Sequence, residues 1–245
     1  MGDIITVVSG KGGVGKSTVA ASVARHLKQW AKRVLLVDTD GGICSAQLLV
    51  SGGESAIYHL GDLFAGVASV EETTVVIEGE PHFLAAPDRL FTPREWRELA
   101  LLLLSLRERY DYIVVDRAAG LDFVLEQYLT DYTALVVSTP DPLSLRGAGQ
   151  ACHVLRQMGC ENVRLVINRF LPAYVRQKIM PNIDSICDRV GAQLIGIVPE
   201  DLFVLQDLTK GKPTKEAPYN KALNRIAGRL AGNAIALPKL KKLLK

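Results

Sequence analysis

Ile4-Ile5-Thr6-Val7-Val8-Ser9 runs directly into Gly10-Lys11-Gly12-Gly13-Val14-Gly15-Lys16-Ser17-Thr18, and an amphipathic helical pattern follows. An apolar run, a glycine-rich turn and a helix start in this order match G-x-x-x-x-G-K-[ST], a loop that cradles phosphates. The glycines let the backbone turn tightly enough for successive N–H groups to face an anion, and the helix N-terminus adds a positive field. Gly12, Gly13, Val14 and Gly15 are therefore expected to line the phosphates. Lys16 is expected to reach the β- and γ-phosphates, the Ser17 hydroxyl to ligate Mg²⁺, and Thr18 to lie near the α-phosphate.

Outward from this loop the pattern repeats. Short Val- and Ile-rich runs alternate with helical segments, which is the signature of βα units around a parallel sheet. Strands are expected at 4–9, 33–37, 83–86, 112–115, 134–138, 164–168 and 194–198, most ending in Ser, Asp, Asn or Pro. Ligands of open parallel sheets bind at the carboxyl ends of the strands, so these polar ends outline one site. The fold expected is a single-domain α/β P-loop NTPase, with a mostly parallel sheet flanked by helices on both faces. The stretch from Gly41 to Gly79 is the least regular and is expected to hold loops or short helices beside the site.

Composition narrows the class. The 245 residues are 48% apolar and 22% charged, ordinary globular values. No apolar run approaches the roughly 18 residues of a spanning helix, and no signal-peptide layout opens the chain, so a cytoplasmic protein is expected. Met1-Gly2-Asp3-Ile4-Ile5-Thr6 formally fits an N-myristoylation pattern but leads straight into a buried strand. Cys44, Cys152, Cys160 and Cys187 lack metal or disulfide spacing and read as inert thiols.

The net charge of +3 conceals an asymmetry. From Lys210 onward ten Lys or Arg face one acid, Glu216, so that end carries +9 and the rest −6. A basic end on an acidic body suits an anionic partner. In Leu237-Pro238-Lys239-Leu240-Lys241-Lys242-Leu243-Leu244-Lys245 the leucines 237, 240, 243 and 244 gather on one helical face, with Lys241 and Lys242 among the lysines opposite. The chain divides accordingly into a P-loop domain, 1–236, and a short amphipathic tail, 237–245. The tail is expected to bind an anionic membrane surface weakly by itself, because so short a helix is marginal in water.

Lys11 is an extra lysine that phosphate binding within one subunit does not require. With it, Lys11-Gly-Gly-Val-Gly-Lys16-Ser17 resembles the deviant Walker A signature of the MinD/ParA class of ATPases. The resemblance covers the chain from Ile4 to about Leu230. It implies ATP and Mg²⁺ as cofactors and slow, partner-stimulated hydrolysis by an ATP-dependent homodimer in which Lys11 reaches the partner's nucleotide. It makes Lys11, Lys16 and Asp40 the catalytic set, with Asp40 orienting water at the γ-phosphate and Asp38 nearer the metal. Asp116, ending Tyr112-Ile113-Val114-Val115, corresponds to the Walker B carboxylate that holds Mg²⁺ through water. The Gly120 N–H stands where it can sense the γ-phosphate. Asn168-Arg169 and Pro199-Glu200-Asp201 resemble the family's two adenine-flanking segments.

Thr139-Pro140-Asp141-Pro142-Leu143-Ser144-Leu145-Arg146 and Val198-Pro199-Glu200-Asp201 resemble the MinD branch more than ParA proteins. That branch implies division-site placement and reversible peripheral association with the cytoplasmic face of the membrane. Three departures stand out: Arg117 replaces a small hydroxyl residue after Asp116, Ser45-Ala46-Gln47 replaces N-L-D, and Gly147 replaces an acid. They leave MinC-like and MinE-like regulators in doubt and place Arg117 either near the metal or outward toward a partner. A ParA-like partition ATPase binding DNA through its basic end, and a flagellar-number regulator of the same family, stay open as alternatives.

Overall fold

The computed structural model describes residues 1–42, 46–50, 55–204 and 217–237. Among these residues seven strands make one sheet: β1 (Asp3–Val8), β2 (Val34–Asp38), β3 (His82–Leu84), β4 (Tyr112–Asp116), β5 (Tyr132–Ser138), β6 (Asn162–Phe170) and β7 (Gln193–Pro199). Their order is β3-β2-β4-β1-β5-β6-β7 and every ladder is parallel. All seven expected strands are present, and β5 and β6 each begin two residues earlier than their apolar runs suggest.

The strands are apolar on both faces because helices cover both. Ile4, Val8, Leu35, Val37, Ile113 and Val115 pack with residues of α4 (Pro93–Leu106), α5 (Pro142–Gln157) and α7 (Ile183–Val190). The alternate residues Ile5, Val7, Leu36 and Val114 pack with α1 (Lys16–Leu27) and the C-terminal helix α8 (Pro218–Leu230). The irregular stretch holds a 3₁₀ turn (Gln47–Leu49) and two short helices, α2 (Leu60–Phe64) and α3 (Val70–Thr73). Between β6 and α7 lies the short helix α6 (Pro172–Arg176).

Chain order reverses direction around β1. The chain steps outward from β1 to β2 and β3, returns to β4, and continues through β5 on the other side. The carboxyl ends of β1, β4, β2 and β5 therefore converge at the topological switch point, where a ligand site of this architecture is expected.

Candidate functional site

The loop from Gly10 to Gly15 joins β1 to α1 at that switch point. Gly13 and Gly15 hold φ of 77° and 87°, the left-handed region that glycine alone occupies without strain. Gly15 is also the N-cap of α1, with no capping side chain and no acid in the first turn. By contrast α4, α5 and α7 close their first turns with Thr92, Asp141 and Asn182. Helix α1 thus leaves its N–H groups and its positive end to an external anion.

Two close approaches seat this loop. A methyl group on Gly15 would lie 2.3 Å from Asn168 Nδ2, and the same amide donates to the Val14 carbonyl at 2.7 Å. Asn168, expected beside the base, therefore braces the loop from below as well. Gly10 lies backbone to backbone on Gly147 of α5, where an added methyl would stand 2.2 Å from the Gly147 oxygen. Gly147 is buried and lies under the phosphate loop. Sequence reading missed this role. The small-residue step Gly147-Ala148-Gly149 on a helix was the available signal.

Lys16 Nζ lies 2.6 Å from Asp116 Oδ1 in a buried pair, and 3.4 Å from Ser17 Oγ. Burial pushes the Asp116 carboxyl above the usual range against the pull of Lys16 and a hydrogen bond from Ser17. Its other oxygen, Oδ2, is buried with no hydrogen-bond partner among the described residues. An orphaned carboxylate oxygen beside a hydroxyl at a phosphate loop is the donor set a Mg²⁺ ion takes when phosphate and water complete its shell. Ser17 and Asp116 fit the metal.

Asp38 Oδ1 accepts the Asp40 N–H and Oδ2 accepts the Ala46 N–H, both at 2.9 Å. Its carboxyl is pushed up to about 7, first by burial and then by the charge of Asp116, partly offset by those two N–H groups. Asp38 thereby shapes the turn that presents the half-buried Asp40. Gly41 is fixed beneath that turn, since a methyl there would meet the Arg89 oxygen at 2.3 Å. Gly120, at φ 129°, donates its N–H to the Ser9 carbonyl at 2.8 Å. Its expected contact with phosphate requires that bond to open.

Arg117 lies neither near the metal nor outward. It is 3% exposed, its Nε donates to both Glu126 oxygens at 3.0 and 3.2 Å, and its guanidinium stacks 4.4 Å from the Trp96 ring centroid. No local pattern signals this, because Glu126 and Trp96 come from separate segments.

Gly15, Thr18, Asn168, Arg169, Pro199, Glu200, Asp201 and Tyr219 share one cleft of about 230 Å³ beside the loop. The two segments expected to flank a base do meet there. Arg169 adopts φ 54° at an irregularity of β6 and points Nε to within 4.0 Å of Glu200. A left-handed arginine is strained and persists only where its surroundings hold it. Asp201 accepts the N–H groups of Phe203 and Tyr219 at 3.0 and 3.2 Å, and so caps α8, whose N-cap Ala217 has no side chain to do so.

At the outer rim Lys11 Nζ stands 3.4 Å from Asp141 Oδ1, both side chains well exposed. Asp141 also accepts the Ser144 N–H and the Thr139 hydroxyl, contacts that hold its carboxyl well below the usual range despite partial burial. The thiols of Cys152 and Cys160 are buried and that of Cys187 half-buried; burial pushes Cys152 up to about 11. Leu237 is exposed at the end of the described chain. Cys44, Leu240, Leu243, Leu244, Lys241 and Lys242 lie outside the described residues.

Residues 5–214 match the family described as the CobQ/CobB/MinD/ParA nucleotide binding domain. The chain belongs to the MinD/ParA family. It is 30% identical over 251 residues to the septum site-determining protein MinD of Bacillus subtilis, covering 99% of this chain and 94% of that one. Among solved structures it resembles MinD in the MinC:MinD cell division complex of Aquifex aeolicus, with a TM-score of 0.86 and 27% identity over 97% of this chain and 99% of that one. It also resembles the MinD of Pyrococcus horikoshii complexed with Mg-ADP, with a TM-score of 0.79 and 26% identity over 94% and 96% of the two chains.

Proposed function

We propose that this chain is a MinD-type ATPase that binds Mg-ATP, dimerises across the bound nucleotide, hydrolyses it slowly and positions cell division from the inner surface of the membrane. The observation that carries this reading is the pairing of two lysines of different character in one loop. Lys16 is buried against Asp116, whereas Lys11 is held at the rim by an exposed contact of 3.4 Å with Asp141. Such a surface pair is worth at most about 1 kcal/mol, so Lys11 can exchange Asp141 for a phosphate of a second subunit with little penalty.

Within one subunit the loop N–H groups and the start of α1 hold the phosphates, while Lys16 turns from Asp116 toward the γ-phosphate. Ser17 and Asp116 would hold Mg²⁺, which would supply charge neutralisation at the phosphates. Asp40, on the turn shaped by Asp38, orients the attacking water. The cleft from Asn168 to Asp201 takes the base. Positioning and electrostatics do most of the work in this class of reaction, so the fixed turns matter more than any single proton transfer.

Membrane association follows from residues 237–245. One tail binds weakly, and two on an ATP dimer gain by effective concentration, so nucleotide state sets location. The test is co-sedimentation with anionic vesicles in ATP, ADP or no nucleotide, for the full chain and for one ending at Ala236. ATP-dependent pelleting that requires the tail is expected. Binding to DNA instead of vesicles would move the chain to the partition branch. One observation weighs against DNA: Arg229 of α8 is turned inward, donating to the carbonyls of Ile195, Ile235 and Ala236.

A further inference from the structure

Arg117 stands where the family pattern carries a small hydroxyl residue, and a buried arginine is an expensive way to fill that space. Its contacts show what it does there. Nε takes both oxygens of Glu126, which is 1% exposed on the 3₁₀ turn Glu126–Tyr128. Nη2 donates to the Asp122 carbonyl at 3.1 Å, and Nη1 donates to Thr39 Oγ1 at 3.4 Å. The face of the guanidinium covers Trp96 of α4.

Thr39 is the residue between Asp38 and Asp40. Its hydroxyl donates to the Asp116 carbonyl at 2.8 Å and its backbone N–H donates to the same oxygen at 2.9 Å. A hydroxyl offers one hydrogen and two lone pairs, so accepting from Arg117 fixes its hydrogen on Asp116. A cationic donor on the oxygen also strengthens the bond that hydroxyl gives. Glu126 thus orients Arg117, Arg117 orients Thr39, and Thr39 joins the turn carrying Asp38 and Asp40 to the strand end carrying Asp116. The bonds to Glu126 and Asp122 close the 117–126 loop from inside and so hold Gly120 in register with the same turn.

We propose that Arg117, clamped by Glu126 and Trp96, is a positioning residue that locks the Asp38–Thr39–Asp40 turn to the Asp116–Gly120 turn, so that hydrolysis depends on it while nucleotide affinity does not. Its side-chain hydrogen bonds go to Glu126, Asp122 and Thr39, not to Lys16, Ser17 or the Asp116 carboxylate. The inference rests on the ATPase reading above for its kinetic consequence, and on the structure alone for the coupling of the two turns. An error on the order of 1 Å in a group that orients water slows a reaction by roughly 10²-fold, whereas binding by the loop N–H groups is insensitive to it.

Three variants test this. Arg117→Lys keeps the charge and loses the planar fork; Glu126→Gln keeps the shape and loses the charge. The double change Arg117→Met with Glu126→Met fills the buried volume with apolar atoms and supplies a folded protein if either single variant lacks one. Each is compared with the native chain in Mg-ATP turnover, in affinity for a non-hydrolysable ATP analogue, in the Mg²⁺ concentration giving half-maximal turnover, and in amide exchange over residues 39–42 and 117–121.

Turnover is expected to fall about tenfold or more with analogue affinity within about threefold, the half-activating Mg²⁺ to rise, and exchange to quicken in both turns together. A folded variant with native turnover and native exchange at 39–42 would overturn the proposal, as would affinity falling in step with turnover. If the native chain hydrolyses nothing, the ATPase reading fails; the exchange comparison still decides whether Arg117 joins the two turns.

Discussion

Asp38 shows how a single buried carboxyl can be kept at the edge of ionisation. Its ordinary value is 3.8 and its folded value about 7, so between those pH values the folded chain holds a proton that the unfolded chain has lost. Raising the pH through this window therefore removes stability from the metal-free protein, and the loss is complete above about pH 7. Asp38→Asn abolishes that slope. Asn offers one acceptor for the two N–H groups, so the prediction concerns the difference between pH values: without nucleotide or Mg²⁺, the stability of the variant relative to the native chain is expected to be greater at pH 8 than at pH 4.5 by on the order of 1–3 kcal/mol. Urea midpoints at the two pH values decide it; a relative stability equal at both would show that folding does not raise the Asp38 carboxyl. The same substitution is expected to slow turnover, since the turn presenting Asp40 loses its anionic acceptor.

Gly147 gives a second residue-scale prediction. A methyl there would lie 3.0 Å from the Gly10 oxygen, tight enough to lift the phosphate loop by a few tenths of an ångström without disrupting α5. Gly147→Ala is expected to weaken ADP binding roughly tenfold while the thermal midpoint holds, because successive N–H groups aimed at one anion lose alignment together. Titration calorimetry with Mg-ADP reads the outcome. Native affinity would mean that α5 yields instead of the loop.

At the scale of elements, helix starts divide into those closed by their own side chains and those left for something else. Helix α4 is closed twice: Thr92 Oγ1 accepts the Glu95 N–H and Glu95 accepts the Thr92 N–H, while Arg89 clamps the same carboxylate through two nitrogens. The Arg89 contact holds the Glu95 carboxyl down at about 2. Because that value lies below the ordinary 4.5, the stability it contributes is present above about pH 4.5 and is lost as pH falls toward 2. Thr92→Ala is expected to cost about 1 kcal/mol of unfolding free energy. Arg89 also lies against Gly41 through its backbone oxygen, so the α4 cap supports the floor of the Asp40 turn. Helix α8 is closed by Asp201 from another segment, whereas no side chain among the described residues caps α1, whose open end faces the phosphate loop.

For the whole molecule, the predictions concern what the chain does with a second copy and a surface. Lys11→Ala removes only an exposed pair in the monomer, so folding and Mg-ADP affinity are expected to stay within about threefold of native. Dimer formation in Mg-ATP is expected to be lost, as read by sedimentation velocity. Vesicle binding should then fall to the level of a single tail and weaken steeply with salt, since lysines near an anionic surface act within a Debye length. A Lys11→Ala chain that still dimerises in ATP would refute the assignment of Lys11 to the partner's nucleotide.

Much of this was legible in one dimension. Apolar runs, rich in Val and Ile in every strand but β3, mark the strands because strands buried on both faces need no polar alternation, and a glycine run ahead of Lys16-Ser17 has few uses other than enclosing phosphate. The acids at 38, 40 and 116 could be placed at strand ends because parallel register brings those ends to one edge. Arg117 shows the limit. Read in sequence it is a charge either beside the metal or turned outward to a partner; in the fold it is a buried clamp, because Glu126 and Trp96 arrive from a 3₁₀ turn and from α4. Gly147 under Gly10, Asn168 under Val14 and Asp201 capping α8 are likewise contacts between distant segments. Local periodicity and turn chemistry determined which elements form and where the phosphate loop lies. Which polar groups face the ligand and which are committed to holding the loops was decided only by packing, since a hydrogen bond across 154 residues leaves no trace in either partner's neighbours.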